Sequence, residues 1–141
     1  MGTPHIIYDS QIFDAQTIGG ISRYFFEIIP RMHISYDIGV CFTDNAYLKS
    51  QRINGHQIPL PQYFLQKYKN KINNFNRKYS VHLLEKEKDY LLHATYYDPY
   101  FLHHIGNHPF VITVHDMTYE RLPECFNPEE AKKIFQQKKK S

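Results

Sequence analysis

Apolar positions along the chain fall into two alternating rhythms. Short, near-continuous runs stand at HIIYD (residues 5–9), DIGVCF (37–42), YLLHA (90–94) and FVITVHD (110–116), the pattern of strands covered on both faces. Between the first two, Ile21, Tyr24, Phe25, Ile28, Ile29 and Met32 recur at helical spacing along one face, and Pro30, late in that run, predicts a bend or an end. Residues 62–88 carry a second helical stripe, Phe64, Tyr68, Ile72, Phe75, Tyr79 and Leu83, with lysines between them. The aromatic stripe is expected to face the core and the lysines to face water. Asn127 as N-cap, Pro128 at the first helical position and Glu130 after it announce a third helix. Apolar strands alternating with helices predict an α/β fold: a Rossmann-like open parallel sheet with helices on both faces.

Composition narrows the class without changing that reading. The 141 residues fit one domain, and 42% hydrophobic against 22% charged residues fits a soluble globular chain, at the polar end by its mean hydropathy of −0.56. No apolar run is long enough to span a bilayer, and MGTPHIIYDS lacks the basic-then-apolar layout of a signal peptide. A cytoplasmic location is expected, with peripheral contact at the inner face of a membrane. Met1-Gly2 opens like a myristoylation site, but Ile6 stands where Ser or Thr is required. Cys41 and Cys125 form no metal or redox spacing and read as idle thiols in a reducing compartment.

Candidate chemistry begins at TIGGISRYFFEII, residues 17–29, where Gly19 and Gly20 precede a helical run. A glycine pair there lets backbone approach an anion, and a helix N-terminus favours phosphate; the ordinary alternative is a turn. The chain lacks the P-loop pattern and the G-x-G-x-x-G fingerprint, so Asp44 is weak support for a ribose-binding acid. His93 is followed by Thr95, Tyr96, Tyr97 and Asp98, while His115 and Asp116 close the last run. In a parallel sheet these groups emerge on one edge, a set suited to a sugar or phosphate. Each histidine taken singly also fits an ordinary capping role.

The stretches QTIGGISRYFFEII, LLHATYYDP and PFVITVHDMTYERLPECF, in this order, resemble the amino-terminal domain of the family 4 glycosyltransferases of GT-B architecture. The resemblance implies two Rossmann-like domains across a cleft, the first holding the acceptor and the second a nucleotide-diphosphosugar donor. It implies that Gly19 and Gly20 approach the donor diphosphate, and that His115 and Asp116 are the catalytic pair, with His115 touching the transferred sugar. Arg23 matches the basic residue after the glycines, pairing either with a carboxylate or with the acceptor. His93, Tyr96 and Tyr97 fall on the acceptor side.

The implied reaction is sugar transfer to a hydroxyl with retention, in cell-surface polysaccharide or glycolipid synthesis, with no cofactor and no metal. The resemblance covers about the first third of a family member, so the chain is expected to be a truncated acceptor-side domain, inactive by itself, with an open sheet edge. His103, His104 and His108 have no helical pairing and no completing carboxylate, so they do not read as a metal set.

Rival classes are a noncatalytic carbohydrate-binding module, an HD-type phosphohydrolase and a nucleic-acid-binding module. The phosphohydrolase would place its His-Asp pair on a metal-binding helix. The nucleic-acid reading rests on residues 62–88, where seven Lys or Arg stand against two Glu. A solvated helix face is the favoured reading over nucleic acid, and the same segment is expected to serve peripheral membrane contact.

Overall fold

Four short strands pair in parallel in the order β2-β1-β3-β4: β1 His5–Tyr8, β2 Ser35–Ile38, β3 Leu91–Ala94 and β4 Phe110–Ile112. The structure is a computed structural model and describes residues 4–50, 57–116, 121, 123–125 and 127–140. Parallel neighbours require crossovers, and helices supply them. α1 (Gln11–Ala15) and α2 (Gly20–Ile28) lead from β1 to β2; α3 (Ala46–Ser50), α4 (Gln62–Lys67) and α5 (Lys69–Lys86) lead from β2 to β3. A 3-10 turn, Pro99–His103, precedes β4, and α6 (Pro128–Lys140) follows. The fold is the α/β, Rossmann-like open sheet that the apolar rhythm predicts.

Side-chain alternation divides the core into two layers. Ile6 and Tyr8 of β1 point to one face, beneath Phe25 and Ile29, with Ile12, Phe13, Ile38 and Leu48. Ile7 points to the other, beneath Leu83 and Leu84, with Leu92, Ala94, Phe101 and Ile105. Helices therefore cover both faces. Each such apolar side chain, fully buried, contributes about 1.5–3 kcal/mol.

Pro30 lies in a 3-10 turn, Ile29–Met32, that closes α2, and His33 ends it in the left-handed region at φ 50°. Asn127 Oδ1 accepts the Glu129 N–H at 3.1 Å and caps α6. Both features match their sequence signals.

Three expectations change. The strand expected at 37–42 runs instead over Ser35–Ile38, because helix α5 captures the backbone beyond it. Ser80 Oγ donates to Gly39 O at 3.0 Å. Asn76 Oδ1 accepts the Cys41 and Phe42 N–H groups at 3.0 and 3.2 Å, and Asn76 Nδ2 donates to Phe42 O at 2.7 Å. These amides spend on side chains the groups a ladder would need. The central segment is two helices, broken at Tyr68, and the expected stripe meets the core only toward its far end, at Tyr79 and Leu83. Phe64, Tyr68 and Phe75 are exposed, whereas Asn76, Ser80, Leu83 and Leu84 are buried. Finally, β4 stops at Ile112, so the His-Asp pair lies beyond the strand.

The chain leaves β1 toward β2 on one side and returns to β3 on the other. The topological switch point therefore lies between β1 and β3, at their carboxyl ends.

Candidate functional site

Asp9 follows β1 directly and is fully buried at the switch point. Its Oδ1 accepts the Thr95 N–H at 2.8 Å and the Thr95 hydroxyl at 2.7 Å, and Thr95 Oγ1 accepts the Ile12 N–H at 3.1 Å. Gln11 completes the seal: Nε2 donates to Asp9 Oδ2 at 2.7 Å and to Asp98 O at 3.0 Å, and Oε1 accepts the Asp98 N–H at 2.8 Å. The crevice where an open sheet commonly takes its ligand is thus closed by the chain's own side chains. Open space lies to either side of the seal.

On the α2 side, the two glycines do different work. A Cβ on Gly19 would meet the Gln16 carboxamide at 2.3 Å, because Gln16 folds back so that its Oε1 accepts the Ser22 N–H at 3.0 Å. Gln16 is the side-chain cap of α2, and Gly19 is small to admit it. A Cβ on Gly20 would meet nothing within 4 Å, so the first turn of α2 opens outward with donors that the helix itself leaves unpaired.

His93 and His115 gather against this helix. The His93 ring packs on Phe25 and Tyr8 at centroid distances of 5.1 and 5.4 Å, and its Nε2 lies 2.9 Å from Thr113 Oγ1. The His115 ring packs on Tyr24 and Phe25 at 5.2 and 5.7 Å. Its backbone N–H donates to the buried Tyr97 hydroxyl at 3.1 Å, while its Nε2, shielded from water, has no hydrogen-bond partner among the described residues. Burial pushes the His93 pKa down and the neighbouring His115 adds to it; burial also lowers that of His115, against the opposing pull of Asp116. Both imidazoles are neutral near pH 7, fit to exchange hydrogen bonds rather than to supply charge.

The structure thus brings His93, His115 and Tyr97 together against α2 at Tyr24 and Phe25. Arg23 is exposed on α2 and has no ion-pair partner among the described residues. Asp116 is exposed past the end of β4. The Tyr96 ring meets that of Tyr97 at 4.6 Å, tilted by 39°, and lines the opening on the other side of the seal.

That second opening is a cleft of about 230 Å³ between α1, α5 and the segment after β3, with Asp14, Arg77, Tyr96, Asp98 and Tyr100 on its walls. Burial lifts the Asp14 pKa to about 7, although Asn76 Nδ2 donates to its Oδ1 at 2.7 Å. Arg77 pairs with Asp98 at 3.1 Å and lies 4.2 Å over the Tyr100 ring. The Tyr100 hydroxyl is buried next to Asp9 and Ser80 without reaching hydrogen-bond geometry, and burial, then the Asp9 charge, raise its pKa.

Asp9, Asp14, Gln16 and Asn76 escaped the reading of the sequence. An Asp immediately after an apolar strand was the signal available for Asp9; the others become legible only once α1, α2 and α5 are placed. Among the described residues no three His, Cys, Asp or Glu side chains converge as a metal site would require. His104 turns to Glu85 at 3.0 Å, and His108 stacks on Tyr90 at 4.2 Å. No described helix is long and apolar enough to cross a membrane. No protein-family model matches the chain, and neither a curated protein nor a solved structure matches it.

Proposed function

We propose that this chain is the acceptor-side domain of a retaining glycosyltransferase that moves a sugar from a nucleotide-diphosphosugar to an acceptor hydroxyl. The observation that carries the reading is the Nε2 of His115, buried and unpartnered among the described residues, seated against the helix whose first turn opens at Gly20. A shielded polar atom without a partner is costly, and a ligand hydroxyl would satisfy it.

In this reading the free N–H groups of the first turn of α2 face the donor diphosphate, and neutral His115 hydrogen-bonds the transferred sugar. Tyr97 fixes the backbone that carries His115, and His93, locked on Thr113, supports the same wall. The glycosidic C–O bond forms as the bond from the anomeric carbon to the diphosphate breaks. The acceptor proton passes to the departing diphosphate oxygen, so these residues position and stabilise rather than attack.

The test is sugar transfer by this domain joined to its donor-binding partner domain, with turnover and a melting curve measured for His115→Ala. Turnover is expected to fall by about 10²–10³ while the melting temperature holds. Near-normal turnover, or sugar transfer by the 141-residue chain alone, defeats the proposal. Glycan binding that never leads to transfer favours a noncatalytic carbohydrate-binding module.

A further inference from the structure

Helix α4 and the first turns of α5 present a surface of aromatic rings and ammonium groups. Tyr63, Phe64 and Tyr68 are 65%, 47% and 38% exposed. They are contiguous: Tyr63 meets Phe64 at 5.7 Å, and Phe64 stacks on Tyr68 at 6.2 Å. The Lys67 ammonium lies 5.5 Å over both tyrosine rings and that of Lys71 5.7 Å over Tyr68. Contiguous large exposed rings mark a surface that binds something else.

Along the sequence, the charge between Asp44 and Glu85 has one sign. Between Asp44 and Glu85 the sequence contains no carboxylate side chain, while Lys49, Arg52, Lys67, Lys69, Lys71, Arg77 and Lys78 all fall there. The patch also adjoins the candidate site. Lys69 at the start of α5 pairs with Asp44 at 3.8 Å, and Asp44 accepts the Thr17 hydroxyl at 3.1 Å, two residues before Gly19.

We propose that this face docks on an anionic bilayer, with Tyr63, Phe64 and Tyr68 entering the headgroup layer and Lys67 and Lys71 held among the lipid phosphates. Rings of this kind settle at the boundary between apolar and wet layers, and lysines snorkel from it to reach anionic headgroups. A single-stranded nucleic acid fits less well, because Lys67 and Lys71 already lie over the tyrosine faces on which bases would stack. A second copy of the chain would bring the same unbroken positive charge against itself.

Sedimentation with phosphatidylcholine vesicles, pure or with roughly 30% phosphatidylserine, tests this on the 141-residue chain; anionic vesicles should bind about tenfold more strongly or better. Tyr63→Ser with Phe64→Ser should weaken that binding by about tenfold. Lys67→Gln with Lys71→Gln should remove most of the preference for anionic over neutral vesicles. These positions are exposed, so the circular dichroism and melt of each variant should match the parent. Equal or negligible binding to both vesicles overturns the proposal, as does tight binding to single-stranded RNA without vesicle binding. Unaltered vesicle binding by both variants also overturns it. The proposal stands apart from sugar transfer: vesicle binding by a protein that transfers nothing would keep it while removing the transferase reading.

Discussion

The two faces of the sheet are held by different chemistry. On the α2 face, Phe25 sits at the centre of a ring cluster, touching Tyr8, Phe13, Tyr24, His93 and His115 edge to face, between 5.1 and 6.4 Å. On the α5 face, the upper half of the helix is fastened by Asn76 and Ser80, both fully buried and bonded to backbone and side chains of distant segments. Apolar packing tolerates replacement by other shapes of the right volume, whereas a buried amide serving several groups has no isosteric substitute. The contrast places the neutral histidines on the packed face and the raised carboxyls on the bonded one.

The largest expected effect falls on the packed face. Phe25→Ala should cost about 3–5 kcal/mol in urea denaturation, by loss of transfer energy and by the cavity left among five rings. It should also release His115, whose ring rests on Phe25, visible as a change in its imidazole proton shifts.

Asn76→Ala should cost somewhat less, about 3–4 kcal/mol, because it strands the Cys41 and Phe42 amides together with Phe42 O and Asp14. Hydrogen exchange at residues 41 and 42 should accelerate with it. If denaturation shows Asn76→Ala to be nearly neutral, the amide is not the fastening of that face, and the contrast fails.

Titration separates the faces next. Asp14 is lifted from 3.8 to about 7, so between about pH 4 and 7 the native state keeps a proton that the unfolded chain has released. Stability from this group therefore falls as pH rises through that window, by on the order of 4 kcal/mol. The histidines act in the opposite direction. Their folded pKa values lie below 6.5, so the unfolded chain gains protons first as pH falls through 6.5, and stability drops with it. Asp14→Asn should leave the histidine slope alone in a pH series of urea midpoints. An unchanged series would show that Asp14 titrates in the ordinary carboxylate range.

The smallest contrast lies within the glycine pair. Gly19→Ala should cost about 1 kcal/mol, by displacing the Gln16 cap, whereas Gly20→Ala should be neutral or stabilise by about 0.5–1 kcal/mol, from the entropy of the unfolded chain. Equal melting temperatures for the two variants would show that Gln16 swings aside without loss.

Much of the architecture was legible because apolar periodicity is local. Four short runs separated by helical patterns required crossovers, hence a parallel sheet, and a parallel sheet delivers His93 and the residues beyond β4 to the same edge. The aromatic stripe at Phe64, Tyr68 and Phe75 misled because helical periodicity marks a face without saying what that face meets. Here the rings stay in water, while a polar face goes inward to satisfy the amides of residues 41 and 42.

The sequence by itself determined the element types, the cap at Asn127 and the turn at Pro30, since each depends on residues within a turn or two of one another. Only the tertiary structure decided where β2 stops and that His115 Nε2 is left unpartnered among the described residues. Those outcomes rest on contacts between residues far apart in the chain, such as Asn76 with Cys41 and His115 with Phe25. A backbone or imidazole nitrogen takes whichever partner folding brings within about 3 Å, and no local pattern encodes that choice.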